Sequence, residues 1–218
     1  MVSPVPVALA VLLALAQAPP ARLVDAVVAT VDGVPILASD LELARRTGLA
    51  ARVPGGTRDL LEARVRLEAA YRDLEGEQLQ ADVGDSLRAL LAAGGGEAAL
   101  TAAGFPRAAV EALARRVAVV EAYVETRLRP QVEIGDEELA AAYREEVVRP
   151  LAARGQRPPP LEAVRPQLER LLVERELNRL VARWLADVLS RHRVEVLRAP
   201  PPPADSSSGS TQRSHSSS

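Results

Sequence analysis

The sequence predicts a mainly α-helical domain with a small β-sheet formed by an N-terminal hairpin and a C-terminal strand. Three observations carry this prediction. Apolar residues recur at three- and four-residue steps through most of the middle of the chain, the period of amphipathic helices. Near the start, a β-prone run interrupted by Asp32-Gly33 reads as a tight hairpin. At the far end, Val194-Glu195-Val196-Leu197 alternates like a strand but has few local partners. A hairpin is marginal alone and needs a third strand, so the two ends of the folded chain are expected to meet in one sheet with the helices between them.

Each element follows from its residues. Val27 to Val31 and Val34 to Leu37 flank the Asp32-Gly33 turn, and Pro35, which cannot donate to a ladder, belongs on an edge or beyond the pairing. Ser39-Asp40-Leu41-Glu42 has the form of a capping box and opens a helix from about Asp40 to Leu49. After the Arg52 to Thr57 loop, Leu60, Leu67, Tyr71 and Leu74 share one helical face, with Arg and Glu between them. Val83, Leu87, Leu90 and Leu91 mark a second helix that ends at Gly94-Gly95-Gly96. A short helix from Glu97 to Ala103 closes at Gly104, a suitable C′ residue. Pro106 suits the first position of a long helix with Val110, Leu113, Val117, Val120, Val124 and Leu128 on one side, stopped by Pro130. Phe105 then forms a staple under that helix.

Val132 to Ile134 is an extended linker. Asp136-Glu137-Glu138 places acid in the first turn of the next helix, where the dipole favours it, and Leu139, Tyr143 and Val147 give that helix its apolar face. A Pro- and Arg-rich loop is expected from Pro150 to Pro160. Leu161 to Val164 forms a lead-in turn, and Pro166 starts the longest helix, which runs to about Arg191. Leu113, Val117, Val120, Leu168 and Leu172 are expected in the core.

Composition excludes much chemistry. The chain of 218 residues has no Cys, no Lys and two His, with 27 basic residues (all Arg) against 29 acidic ones and a formal net charge of -2. Thiol nucleophiles, disulfides and Cys-ligated zinc are therefore absent. So are Schiff-base and Walker-A lysines. His192 and His215 lie near or in the C-terminal tail, which leaves no His-based triad or HExxH site. The near-neutral charge and 2% aromatic content remove the usual reasons to expect nucleic acid. Gly94-Gly95-Gly96 has no strand before it and no Lys after it, so it is not a phosphate cradle. No cofactor or metal and no catalytic group is expected. Arg115-Arg116 and Arg144 read as solvated faces.

The chain ends differ from the middle. Val5 to Ala16 is an apolar run of signal-peptide length, too short to span a bilayer comfortably, and A-x-A patterns end at Ala16 and Ala18. The expectation is a signal peptide over residues 1–18, cleaved after Ala18 or after Ala16, and a periplasmic protein with no stable membrane span after cleavage. An uncleaved N-terminal anchor is the alternative. Residues 199–218 are Pro-rich, then Ser-rich, and have the composition of a disordered tail. About 180 residues remain, enough for one domain with a real core.

Three stretches together carry a resemblance: VDAVVATVDGVPILASDLELA, from Val24 to Ala44; LTAAGFPRAAVEALARRVAVVEAYVETRLRPQVEIGDEELAAAY, from Leu100 to Tyr143; and LEAVRPQLERLLVERELNRLVARWLADVLSRHRVEVL, from Leu161 to Leu197. Their content and order resemble the N-terminal chaperone domain of SurA-type periplasmic foldases, a family that includes PpiC- and PpiD-like proteins. The resemblance extends over residues 22–198. It implies a mainly helical domain that brings its terminal segments together. It also implies an ATP-independent holdase whose partners are unfolded polypeptides, outer-membrane or secreted proteins among them. In those foldases a parvulin isomerase domain of about a hundred residues usually precedes the closing helix. Here only Val148 to Pro160 occupies that place, so no prolyl isomerase activity is expected. Tyr71, Tyr123, Tyr143 and Trp184 are the candidate client-binding residues, because each offers an apolar body with a polar tip. Two other function classes stay open: a scaffold or assembly factor that binds one dedicated folded partner, and a degenerate enzyme accessory that needs a separate isomerase.

Overall fold

The computed structural model describes residues 25–53 and 57–197. The expected signal segment and the Pro/Ser-rich tail lie outside the described residues. Strands β1 (Val27–Val31) and β2 (Val34–Leu37) pair antiparallel, with Val31 opposite Val34, Thr30 opposite Pro35 and Ala29 opposite Ile36. Asp32 and Gly33 have φ of 48° and 79°, the two left-handed positions that a type I′ hairpin turn needs. The register slips between Val27 and Ala29, so Val28 forms a bulge. Strand β3 (Val194–Val196) pairs antiparallel with the other side of β1, giving the order β2-β1-β3. The mainly helical fold with a terminal hairpin and a returning strand is thus the one the sequence predicts.

Helix α1 (Ala38–Arg46) starts two residues earlier than its sequence signature suggests, with Leu37 as N-cap. The Asp40 carboxylate reaches back to accept the Leu37 N–H at 2.9 Å. Ser39 does not cap: its N–H donates to Asp25 at 3.1 Å and its hydroxyl donates to the same carboxylate. Glu42 instead binds Arg45 and Arg46. The pattern mistook an Asp at N3 for the residue after an N-cap Ser. The helix also ends sooner, because Gly48 turns left-handed at φ 65° and a 3₁₀ turn, Leu49–Ala51, follows.

Helices α2 (Leu60–Asp73) and α3 (Val83–Ala93) are each capped by an aspartate, Asp59 and Asp82, that accepts an N–H three residues on. At the end of α3, a Cβ on Gly94 would sit 2.8 Å from the Leu100 side chain, so only glycine allows α4 (Glu97–Ala102) to fold back this closely. Pro106 is the N-cap of α5 (Arg107–Tyr123) rather than its first helical residue, so the helix begins one residue later than expected. That shift leaves Phe105 at N′ and Val110 at N4, both buried in the same cluster, as a hydrophobic staple requires.

Two wide turns have a common cause. The α5 spiral continues as a π turn, Val124–Leu128, then a 3₁₀ turn, Arg129–Gln131. Helix α6 (Asp136–Ala142) likewise continues as a π turn, Tyr143–Val148, into α7 (Arg149–Ala152). Each π turn lies just before a proline, Pro130 or Pro150, within the same pattern, Tyr-x-Glu-x-x-apolar-Arg-Pro. Proline lacks the N–H and crowds the carbonyl four residues back, and widening the turn relieves both. The loop expected from Pro150 therefore begins only after Ala152. Glu125–Arg129 at 2.6 Å and Glu145–Arg149 at 2.5 Å pair across the two wide turns.

Helix α8 (Leu161–Arg191) is one continuous 31-residue helix with Pro160 as N-cap and Pro166 inside it. The lead-in turn and the main helix are thus one element, at the cost of the single hydrogen bond Pro166 cannot make. Its length of about 45 Å lets it serve three apolar clusters. Leu168 and Leu172 pack with Leu139 and Ala142 of α6. Leu177, Val181 and Leu185 join the main core with α2, α3, α4 and α5. Val188 closes on Val28, Val31 and Ile36 of the sheet and on Val65 and Ala69 of α2. Leu113, Val117, Val120, Leu168 and Leu172 are all buried, as expected.

Candidate functional site

The four aromatic candidates are all half-buried, and two of them meet. Tyr123 and Trp184 stack with ring centroids 4.7 Å apart and planes inclined by 28°. Both pack on the main core, and Trp184 also reaches the sheet cluster. Burial raises the Tyr123 hydroxyl pKa, with Asp73 and Glu77 nearby adding to the rise. Tyr143 packs on the α6–α8 cluster, and its hydroxyl donates to the Pro159 carbonyl at 2.6 Å, tying the loop before α8 to α6. Tyr71 lies beneath the Arg116 guanidinium, 5.2 Å from its ring centre.

Tyr71 thereby belongs to a polar cluster that the sequence pattern did not reveal. Glu68 of α2 is 2% exposed and Arg64 is 6% exposed. Glu68 Oε2 accepts from Arg64 Nη1 and from Arg116 Nε, each at 2.8 Å. Burial raises the Glu68 carboxyl pKa, but the Arg64 and Arg116 charges and hydrogen bonds outweigh it and hold the group below its usual range. Arg116 also donates to the Ala112 carbonyl at 3.0 Å. Its reading as a solvated residue is corrected: a helical period marks the faces of α2 and α5 but not which Arg is roofed by a neighbouring helix. A cleft of about 180 Å³ opens beside this cluster, lined by Val34 and Pro35 of β2, Asp40 and Leu43 of α1, Arg64, and Ala109, Ala112, Leu113 and Arg116 of α5.

The sheet presents two unlike edges. On β2, Val34 closes the turn against Val31, so the next outward-facing residue is Pro35, which has no N–H. Beyond it, the Leu37 N–H is already taken by Asp40. This edge is closed to a further strand. On β3 the Asp32 N–H donates to the Arg193 carbonyl at 2.8 Å and the Leu197 N–H to the Val28 carbonyl at 2.9 Å. Antiparallel alternation then turns the N–H and C=O of Val194 and Val196 outward. Among the described residues no strand pairs with that side. Three apolar side chains beside it are uncovered, Val196 at 64% exposure, Leu197 at 42% and Val27 at 36%, while the exposed Arg193 and Glu195 side chains form an ion pair along the same stretch.

Two further polar groupings stand out. His192 Nδ1 lies 2.6 Å from Asp32 Oδ2 and its Nε2 lies 3.5 Å from Asp73 Oδ1. Arg191 binds both Asp73 oxygens, Arg72 approaches Asp32, and the Arg193 N–H donates to Asp32 at 2.8 Å. The His192 hydrogen bond, with that of the Arg193 backbone, lowers the Asp32 pKa to about 2. This knot ties the hairpin turn, the end of α2 and the start of β3. Between α3 and α5, a cleft of about 390 Å³ is lined by Asp82, Asp85, Glu121 and Glu125 with Arg52. Burial raises the Glu121 pKa, against the opposing hydrogen bond from Ser86. Among the described residues, no group of three or more acidic or His side chains is placed to hold a metal, and no helix is long and apolar enough to cross a membrane. Asp136, Glu137 and Glu138 are exposed in the first turn of α6.

No family model matches the chain, and no curated protein matches it.

Proposed function

We propose that this protein is an ATP-independent periplasmic chaperone that holds unfolded outer-membrane or secreted polypeptides in extended form, without prolyl isomerase activity. The observation that carries the reading is the open outer edge of β3. Outward main-chain groups at Val194 and Val196 offer hydrogen bonds that any extended chain can complete, whatever its sequence. The uncovered Val27, Val196 and Leu197 side chains reward an apolar client without demanding a particular one. A three-residue edge gives weak, reversible binding, which suits a holdase that releases its client without nucleotide. The resemblance to SurA-type domains supports the same reading through the arrangement of terminal hairpin, central helices and returning strand.

The test is a client assay. Residues 19–218 are titrated into an outer-membrane porin diluted from urea, light scattering is followed, and proline isomerisation of a model peptide is measured in parallel. The expected result is suppressed scattering at stoichiometric or small excess ratios, with isomerisation at the uncatalysed rate. Unchanged scattering at tenfold excess, or accelerated isomerisation, contradicts the proposal.

A further inference from the structure

We propose that the open edge of β3 is a self-association site, where a second copy of this chain adds its own β3 antiparallel, centred on Val194. The pairing does not depend on the holdase reading. Its consequence does: a second copy and an extended client would compete for the same main-chain groups.

The charge order along β3 defines the partner. Val194 and Val196 lie opposite Val31 and Ala29, both fully buried, so they share the core face of the sheet. Arg193 and Glu195 alternate with them onto the other face, where their exposed side chains pair at 2.5 Å. Two opposite charges thus flank Val194 in the order Arg-Val-Glu. Read in the antiparallel direction, the same three residues are Glu-Val-Arg. Pairing about Val194 therefore puts Arg193 opposite Glu195 of the second copy, and Glu195 opposite the second copy's Arg193. Val194 faces its own counterpart and exchanges both main-chain hydrogen bonds with it, since its N–H and C=O point outward. The two charge pairs fall at the adjacent narrow positions, with Cα atoms about 4.5 Å apart, where opposite charges stabilise and like charges repel. Each exposed charge keeps its neighbour in its own chain and gains a second one across the edge. A self-complementary patch of this kind is what an isologous, two-fold interface requires.

Other registers lack this match. Centring on Arg193 sets two arginines opposite each other, and centring on Glu195 sets two glutamates opposite each other. Centring on Val196 sets Glu195 against Leu197, so neither glutamate gains a cation. The surroundings leave the edge accessible. Val188 packs the end of α8 on Val28, Val31 and Ile36, over β1 and β2. Val196, on that same face, is 64% exposed, so no described helix covers the sheet at that point. The two-fold axis runs normal to the sheet and keeps both helical layers on one side. The product is a continuous sheet in the order β2-β1-β3-β3-β1-β2. Its outer edges are the β2 strands, closed by Pro35 and by the engaged Leu37 N–H, so assembly stops at two copies. An edge three residues long makes this dimer weak and reversible.

The test is self-association without any client, so its failure leaves the holdase reading standing, and failure of the client assay leaves self-pairing standing. Residues 19–218, which hold every described element, are followed by sedimentation from about 20 µM to about 1 mM, the weak end of the affinity range. The expected result is a reversible monomer–dimer equilibrium, in which the Val194 amide exchanges more slowly as concentration rises and the Glu195 amide does not. Arg193→Glu and Glu195→Arg each set like charges opposite and should weaken self-association at least tenfold. The circular dichroism spectrum should stay unchanged, because both side chains are exposed and, among the described residues, pair only with each other. An equimolar mixture of the two variants sets opposite charges against each other again and should restore association to within about threefold of the native protein. The doubly exchanged variant, Arg193→Glu with Glu195→Arg, should self-associate like the native protein. A monomer throughout the range, undiminished association in either single variant, or a mixture no more associated than its components would each overturn the proposal.

Discussion

Glu68 shows how one side chain can hold a helix pair together. Its carboxylate is nearly solvent-free and is shared by an arginine on its own helix and one from α5. The within-helix order, Arg64 then Glu68, is the less favourable direction for an exposed pair, so the arrangement depends on the packing of α5 over it. Glu68→Ala leaves Arg64 buried beside an empty space and should destabilise the fold by about 3–5 kcal/mol, measurable by urea unfolding. Asp32 makes a different claim. Its folded pKa of about 2 lies below the ordinary carboxylate value, so its contribution to stability is full above about pH 4 and fades as the pH falls toward 2. Asp32→Asn should lower the melting temperature near pH 6 and flatten the decline between pH 4 and 2. Equal acid slopes for the two proteins would contradict that assignment. Residue-level polar contacts of this kind were the least legible part of the sequence. Arg116 looked like a solvated position and nothing singled out Arg64 or Glu68, because a helical period reports a face, not what a distant helix lays over it. His192 lay near the tail in sequence, and nothing local could reveal that it sits between Asp32 and Asp73.

At the scale of elements, the sequence was clearest where one local rule dominates. Asp32-Gly33 demanded a type I′ turn, and the apolar rows of α2, α3 and α5 placed their buried faces correctly. Boundaries shifted where two rules competed. Ser39-x-x-Glu42 matched a capping box, but the extended backbone ended at Leu37, and Asp40 captured that N–H first. Pro130 and Pro150 looked like helix stops, but a π turn upstream of each let the spiral pass. Pro166 looked like a helix start, but Pro160 was available six residues earlier. The unequal sheet edges give an element-scale prediction. Val196→Pro removes an outward N–H while leaving the Glu195 main chain and the Leu197 N–H in the ladder, so the fold should persist. Client protection in the light-scattering assay should fall several-fold in that variant. Undiminished protection would move the client site off β3.

For the whole molecule, α8 is the member that makes three clusters one fold. Its start packs on α6, its middle on α2 and α5, and its end on the sheet, with Trp184 between the last two. Trp184→Ala should cost about 3 kcal/mol, read as a lower urea midpoint. Because α8 spans every cluster, the loss should appear in a single transition followed at any probe. Two separated transitions would mean that the α6–α8 end unfolds on its own. The global topology was legible early, since a C-terminal alternating run with no local partner has few places to go other than the unpaired side of a hairpin. What the sequence left open was which edge of the completed sheet would remain usable. That depended on Pro35 and Asp40 together, and the two are brought to the same edge only by the fold.

The holdase account rests on β3 accepting an extended client, and amide hydrogen exchange tests it directly. The protein is exchanged with and without a saturating unfolded porin segment, and individual amides are followed. The account predicts that the Val194 and Val196 amides, which face outward, slow by at least tenfold, while the Glu195 amide, already in the ladder, changes little. Client binding that leaves Val194 and Val196 as fast as in the free protein would contradict the account.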